Sequence, residues 1–523
     1  MPQIPYRANL SSAVFPMTLA DAGRSVIVPQ ADQNFDRRVD PAGEQTDAGI
    51  PQAIYMQNVI PTVNGFQSVG WFQRQPIPPR SGGAPGSATI QKTFVLEGTV
   101  IAPRSGSGGY LDVISNDIDC SLTWAYNAGA TPVCGAPIEP SIAAVRGTYY
   151  YCDQTDIFTF TINAGTKQLT FINVTASALG VIVSDIRYIC SSYNYLILLM
   201  NDGTIRWSST TTPLDFVPSL VTGSGVETPG QTIDPQFLVE HPDGFLIFGT
   251  YGVIFVRYTG NSRYPWKFTP VTNSGGYSFP YQVYGGSSER TTYCIDTGNK
   301  VRIIADGAAQ LVAPEVSSYF EREPRHDTFN YSTNVFSYEE FFNIKKIFYI
   351  LDRYLVISVI QANTAAGAYS IIYDTLLQRY GKLKIDHNYV VSSPARVTYI
   401  GRFAVDDDTY NLGLDIYNTD YTFEGVLLLG KFQYVRDRFL QLEEIAIESA
   451  KNIAIGSPQN LSVVLFPSFD GKNFTTPVVL SPTITANLAT VNLHKTALNH
   501  SIMLKGAFDV NTLALVFNTT GHR

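Results

Sequence analysis

The chain has 523 residues, more than one ordinary core needs, so two or three domains are expected. Its net charge of -8 argues against a protein that reads nucleic-acid sequence through a basic face. A negative wall is still compatible with DNA sliding past without sticking, because affinity for the duplex comes mostly from phosphate neutralisation. Apolar residues make up 45%, aromatic residues 12% and charged residues 15%, a balance that favours strands and broad contact surfaces over solvated helices.

From its N-terminus to about residue 50 the chain alternates polar and proline-containing pieces, Ser25-Val-Ile-Val-Pro29 and Asn34-Phe-Asp-Arg-Arg38. Residues 1–50 read as an extended arm laid over another surface. The segment MPQIPYRANLSSAVF lacks the charged and apolar blocks of a signal peptide. The longest apolar run, Tyr195-Leu-Ile-Leu-Leu-Met200, is too short to cross a bilayer, and a soluble intracellular product is expected.

Between Tyr55 and Trp71 two short strands flank a turn at Thr62 to Gly65, and the proline- and glycine-rich piece from Gln75 to Ala88 reads as an irregular loop. From about Thr93 the chain repeats loosely in turn-bounded strands. Lys92–Ile101, Tyr110–Ile114 and Leu122–Tyr126 are followed by Gly147–Cys152, Ile157–Ile162 and Leu169–Val174. A further unit holds Ile186–Ile189, Tyr195–Met200 and Gly203–Trp207, closed by Pro213-Leu-Asp-Phe216.

The clearest unit runs from Asp243 to Asn273, with apolar alternation through Phe245, Ile247, Ile254, Val256 and Tyr258 broken by glycines. Its second half, Tyr258 to Phe268, is too polar and too proline-broken for a core strand. Yet it carries Tyr264, Trp266 and Phe268 at every second position, as a loop does that packs on something. More units follow at Tyr281–Val312, at Ile347–Leu383, and from Val397–Phe403 through Val426–Gly430.

Units of about 40 residues with three or four strands each point to a β-propeller of six or seven blades over residues 51–435. Stacked β-sandwiches are the competing arrangement. After Arg436 the runs Phe439–Leu442, Ile445–Ile447, Leu461–Phe466 and Thr490–Leu493 alternate with period two, and Phe469-Asp-Gly471 is a turn signal. Residues 436–523 therefore read as a C-terminal antiparallel, sandwich-like β domain. The fold expected is mainly β throughout.

Little of this carries catalytic chemistry. The histidines His241, His326, His387, His494, His500 and His522 lie far apart, with His494 and His500 expected on exposed loops. No metal or cofactor is expected. Asp406-Asp-Asp408 lacks the spacing of a calcium loop and reads as a solvated turn. No phosphate-binding loop or G-x-S-x-G elbow occurs, and Asp243 and Glu240 read as turn residues. Cys120, Cys134, Cys152, Cys190 and Cys294 are widely spaced and imply a reducing compartment, with Cys120 and Cys134 the pair placed to approach across a hairpin. Tyr264, Trp266 and Phe268 fit either a stacking platform for sugars or bases, or a loop packed beneath a neighbouring blade or subunit.

Several motifs resemble a known family. Arg24-Ser-Val-Ile-Val-Pro29 with Gln33-Asn-Phe-Asp-Arg-Arg38, and Met56-Gln-Asn-Val-Ile-Pro-Thr62 with Gly65-Phe-Gln-Ser-Val69, are similar to the opening of the tail nozzle, or tail hub, proteins of short-tailed bacteriophages. Ile205-Arg-Trp-Ser-Ser209, Pro213-Leu-Asp-Phe216, Asp243-Gly-Phe-Leu-Ile-Phe248 and Arg257-Tyr-Thr-Gly-Asn-Ser-Arg-Tyr-Pro265 resemble its central portion. The resemblance spans residues 24 to 323.

What it implies is a non-enzymatic propeller subunit of the virion tail, made in the bacterial host cytoplasm. Its copies would assemble as a hexameric tube under the portal and its adaptor ring, pass DNA through the lumen, and support fibres, spikes or a plug. Interface elements expected on this reading are Phe35, Arg37 and Arg38 in the arm and Tyr258, Arg263, Tyr264, Trp266 and Phe268 in the aromatic loop. A carbohydrate-binding or glycan-hydrolysing propeller is the alternative.

Overall fold

The computed structural model describes residues 17–18, 53–62, 65–68, 71–75, 89–90, 94–96, 99–105, 110–116, 122–124, 140–153, 157–163, 169–174, 179–229, 233–312, 325–330, 335–340, 344–350, 353–360, 369–377, 379–383, 389–392, 398–401, 409–413, 425–429, 438–449, 461–469 and 476–522. Strands and two short 3-10 turns, Val183–Asp185 and Pro280–Gln282, make up the regular structure among them.

The repeating unit is an antiparallel meander whose neighbours in sequence are neighbours in the sheet. Blade 2 shows how the sequence makes one. Its strands are Ser141–Val145, Thr148–Cys152, Ile157–Ile162 and Leu169–Asn173. The first two join through Arg146 and Gly147, both at positive φ (52° and 76°), the backbone a two-residue hairpin needs to match strand twist. Tyr193-Asn194 (φ 48° and 65°) makes the same turn one blade later.

Blade 3 holds Ile186–Ser192, Tyr195–Met200, Ile205–Trp207 and Gly225–Glu227. Blade 4 holds Pro235–His241, Gly244–Gly249, Gly252–Tyr258 and Trp266–Pro270. Blade 5 holds Val283–Tyr284, Thr292–Ile295, Val301–Ala305 and Ala308–Leu311. Blade 6 holds Ile344–Ile350, Tyr354–Ile360, Tyr369–Asp374 and Arg379–Leu383. Ahead of them, blade 1 is a five-stranded sheet between Thr89 and Trp124.

Blade 7 is completed from the other end of the chain. Tyr389–Ser392, Thr398–Gly401 and Thr409–Gly413 form three strands, and the fourth is Trp71–Gln75, pairing Phe72 with Leu412 and Arg74 with Tyr410. A strand from before blade 1 thus finishes the last blade, which ties the two ends of the repeat together.

Adjacent blades pack face to face. Phe94 and Leu96 of blade 1 lie against Tyr149, Tyr151, Phe158 and Phe160 of blade 2. Ile189 of blade 3 donates its N–H to the Ser141 hydroxyl of blade 2 at 3.1 Å. Blades 3, 4 and 5 share a core that includes Tyr195, Phe237, Phe245, Phe248 and Cys294. Tyr293 of blade 5 stacks on Tyr349 of blade 6, centroids 5.0 Å apart. Both faces of the central strands are therefore dry: Tyr195–Met200 and Gly244–Gly249 are buried along their whole length. That is why they read as unbroken apolar runs. The chain is mainly β, a β-propeller with seven blades among the described residues, within the six or seven expected.

Beyond blade 7 stand two packed sheets. One is ordered Ala53–Gln57, Gly425–Leu429, Asn499–Gly506, Ser462–Ser468 and Val478–Leu480. The other contains Phe66–Ser68, Asp509–His522, Arg438–Ser449, Leu488–Ala497 and Thr483–Thr485. Leu427, Leu429, Leu465 and Leu504 of the first share a core with Leu442, Ile445, Val491 and Leu513 of the second. Arg438–Ser449 is one long strand whose register shifts between Leu442 and Glu444, where the period-two pattern breaks.

The expected boundaries at 50/51 and 435/436 do not match the sheets. Phe66–Ser68 and Gly425–Leu429, placed by the sequence in the propeller, pair with the C-terminal strands Asp509–His522 and Asn499–Gly506, and Ala53–Gln57 pairs with Gly425–Leu429. The reason is pairing across the chain: Val59–Pro61 pairs with Phe66–Ser68 on one side and, through Val59 and Lys382, with blade 6 on the other. Blade 6 and the second sheet are consequently one continuous sheet. Of residues 1–50 only Met17–Thr18 is described, paired with Leu513 and Thr512.

Candidate functional site

The aromatic stretch singled out by the sequence straddles the third and fourth strands of blade 4. Tyr258 lies opposite Trp266, and Val256 opposite Phe268. The expectation of a loop running to Phe268 is therefore corrected: the loop is only 259–265, and Trp266–Pro270 is the outer strand of the blade. Pro265 ends the irregular segment, and pairing of Lys267 with Arg257 overrides its polarity.

Trp266 is buried, edge-on to Tyr195 at 5.4 Å, Phe245 at 5.2 Å and Tyr258 at 5.5 Å. Phe268 is partly buried against the same core. Their role is packing. Burial first, and Tyr258 second, raise the pKa of the Tyr195 phenol. Tyr193, in the first turn of blade 3, stacks on Tyr258 at 4.1 Å, so the two blades meet through an aromatic pair that reaches solvent.

The loop itself is a set of local hydrogen bonds. Thr259 N donates to Pro265 O (2.8 Å), the Thr259 hydroxyl to Tyr264 O (2.6 Å), Asn261 N to the Thr259 hydroxyl (3.1 Å) and Arg263 N to Asn261 Oδ1 (2.9 Å). Such side-chain turns satisfy the backbone without a strand partner. They leave Arg263 exposed and Tyr264 69% exposed. Of the predicted residues the structure brings together Tyr258, Trp266 and Phe268 in the core and Arg263 and Tyr264 at its surface. Phe35, Arg37 and Arg38 lie outside the described residues.

Beside this loop stands another that the sequence reading missed. Residues 208–224 connect the third and fourth strands of blade 3, where Pro213 to Phe216 was expected to close the unit. Phe216 is buried as an anchor, Trp207 Nε1 donates to Gly223 O at 2.8 Å, and Ser219 N to Ser224 O at 3.0 Å. Val217, Leu220 and Val221 face solvent. The spacing of apolar residues between prolines is their only sequence signal.

The first strands of the blades carry polar contacts from blade to blade. The Ser191 N–H (3.0 Å) and hydroxyl both donate to Glu240 Oε1, and Arg187 Nη1 donates to Pro235 O at 2.7 Å. Glu240 is thus a strand residue, not the turn residue expected. His241 is buried, accepts the Asp243 N–H at Nδ1 (3.1 Å) and reaches Arg290 O of the next blade with Nε2 (3.2 Å). Its pKa is lowered, chiefly by burial and further by Arg257 and Arg290.

Two ion pairs brace hairpins: Arg302 to Asp296 at 2.7 Å and Arg353 to Asp374 at 2.6 Å. His494 and His500, both expected on exposed loops, lie in strands, His500 buried and His494 exposed. Cys152, Cys190 and Cys294 are buried, while Cys120, Cys134 and Asp406 to Asp408 lie outside the described residues. Among the described residues no three His, Cys, Asp or Glu converge as metal ligands, and no helix is long and apolar enough to cross a membrane.

No family model and no curated protein matches the sequence. Solved structures with a similar trace include BamB from Moraxella catarrhalis, 8% identical, covering 69% of this chain and 95% of that one at a TM-score of 0.35. Another is the extracellular domain of the putative hybrid two component system BT4673 from B. thetaiotaomicron, 12% identical, covering 92% and 63% at 0.40. A third is YCF48 bound to D1 peptide, 11% identical, covering 66% and 100% at 0.36. At these scores the likenesses carry no weight for function, and the propeller rests on its own sheets.

Proposed function

We propose that this chain is a structural virion protein, the nozzle subunit of a short phage tail, whose copies form a tube below the portal and adaptor and extend the DNA ejection channel. The observation that carries the reading is the weld between propeller and sandwich. Val59 pairs with Lys382 of blade 6, and residues of blades 5 and 6, among them Ile295 and Leu355, share one core with Leu427, Leu465 and Leu504 of the sandwich. A core continuous across both modules makes them a single stiff block, as a tube wall under internal pressure requires. The motif resemblance over residues 24 to 323 and the acidic balance, which suits a passage DNA must not stick to, support it.

The hexameric state, the adaptor contact and the support of fibres, spikes or a plug belong to this proposal, as does the virion as its location. Light scattering after gel filtration of the chain mixed with its adaptor tests it. A ring-sized complex containing both proteins is expected; a monomer that never joins the adaptor overturns the reading.

One observation favours the second reading, a carbohydrate-binding propeller: Tyr264 is exposed in the loop that follows Tyr258, whose ring stacks on Tyr193, and sugars pack on exposed aromatic faces. Retention of the isolated chain on host polysaccharide, lost in Tyr264→Ala, would favour it.

A further inference from the structure

Two groups of exposed apolar side chains lie in stretches that are almost free of charge. Residues 207–226 on blade 3 contain one charged residue, Asp215, and residues 476–493 on the sandwich contain none. At the chain's 15% charged residues about three would fall in each, so both strips are depleted of charge, as interface centres are.

On blade 3 the strip presents Val217, Leu220 and Val221, the last 94% exposed. The segment is fixed before anything binds. Val217 N donates to Asp215 Oδ1 (3.1 Å), Gly223 N to Ser219 O (2.9 Å) and the Ser224 hydroxyl to Val217 O, while Phe216 sits in the core. A partner meeting it orders little new backbone.

On the sandwich the strip forms an edge. Val478–Leu480 ends one sheet and Thr483–Thr485 ends the other, and Val479 is 68% exposed. Native proteins usually blunt such edges with charge. This one carries no charged side chain.

The two strips occupy different flanks. The sandwich is joined to blade 6 and shares a core with blades 5 and 6, whereas the other strip is on blade 3, three blades round a ring of seven. A contact between unlike patches on different flanks is head-to-tail, and repeated with closing rotation it makes a ring. Each copy carries a net charge of -8, so copies approach at least electrostatic cost where neither brings charge.

We infer that the neutral apolar tip of blade 3, centred on Val221, seats against the neutral sandwich edge around Val479 of a second copy of this chain. The inference rests on the ring-forming reading above and names its self-contact.

Both side chains are solvent-facing, so charged replacements leave the fold intact, and unchanged thermal melts confirm it. Self-association of the full chain is measured by sedimentation for wild type, Val221→Lys, Val479→Glu and the double variant. Each single variant should weaken it at least about tenfold, and the double variant, in which Lys of one copy meets Glu of the next, should recover to within about threefold of wild type. A double variant weaker than either single, or singles that assemble like wild type, overturns the contact. Adaptor binding separates this result from the wider reading. Singles that still assemble and join the adaptor remove only this contact; a wild type that is monomeric with and without adaptor removes both. Loss of adaptor binding with self-association intact assigns the patch to the adaptor and overturns the inference.

Discussion

Ser68 and Phe508, 440 positions apart in sequence, are joined by three hydrogen bonds: Ser68 N to Phe508 O at 2.7 Å, the Ser68 hydroxyl to the same carbonyl at 3.1 Å, and Phe508 N to the Ser68 hydroxyl at 2.9 Å. Both residues are buried. The N-terminal hairpin is thereby locked to the last strands of the sandwich, and with it the route by which Trp71–Gln75 reaches blade 7. Ser68→Ala leaves the buried Phe508 N–H without its acceptor and should cost about 1–3 kcal/mol. Urea unfolding checks this; an unchanged midpoint contradicts it.

The weld between modules has its own test at Gly381 in the outer strand of blade 6. A Cβ there would fall on the carbonyl oxygen of Val59 and crowd the Ile60 backbone. Gly381→Ala must push the hairpin off blade 6, with an expected cost of about 1–3 kcal/mol. It should also split a single thermal transition into two by calorimetry. One unshifted transition would show that the pairing of Val59 with Lys382 contributes little.

Trp266 and Tyr264, two positions apart, should behave oppositely. Trp266→Ala empties a space walled by Tyr195, Phe245 and Tyr258 and should cost about 3–5 kcal/mol, whereas Tyr264→Ala at the exposed loop should stay within about 0.5 kcal/mol. Chemical denaturation of the two variants decides it, and equal losses would contradict the assignment.

These two residues also show what a sequence can and cannot display. Glycine-bounded apolar runs mark Gly244–Gly249 and Gly252–Tyr258 plainly, because both faces of these strands are packed between blades. Spacing at every second position reads Tyr264, Trp266 and Phe268 as one stripe, but the hairpin pairing of Tyr258 with Trp266 begins between the first and second of them. The pairing of Ser68 with Phe508, of Trp71–Gln75 with blade 7, and of Ala53–Gln57 with Gly425–Leu429 left no local trace. Each joins segments hundreds of residues apart, where no turn fixes the partner, and this is why the expected domain boundaries moved. The blade 3 loop was illegible for a related reason: its order comes from Phe216 burial and side-chain turns, not from periodicity.

His500 gives the fold a pH dependence of known sign. It is buried, with Nε2 at 3.2 Å from Lys495 O, and burial pushes its pKa from 6.5 down to about 4. Neutral imidazole is favoured in the folded state, so this stability is fully present above about pH 6.5 and is lost as pH falls through about 4. The gap corresponds to about 3 kcal/mol. His500→Gln should lose less stability than wild type between pH 7 and pH 4 by about that amount, read from urea midpoints; parallel losses would contradict it.

Burial also pushes the thiol of Cys294 up to about 12 and that of Cys190 well above the ordinary range. Neither forms thiolate at pH 8, and Cys152 is equally enclosed. Peptide mapping after an hour with iodoacetamide should find all three unmodified in native protein and all modified in urea. Native labelling at Cys294 would mean that blade 5 opens where its core is drawn closed.

The central claim is a place in a particle, and a cryo-electron microscopy reconstruction of the virion tail tests it most directly. The account predicts copies of this seven-bladed ring with its welded sandwich arranged around the axial channel, distal to the portal and adaptor. A tail whose channel wall is built from other chains, with this one absent or attached peripherally, would contradict it.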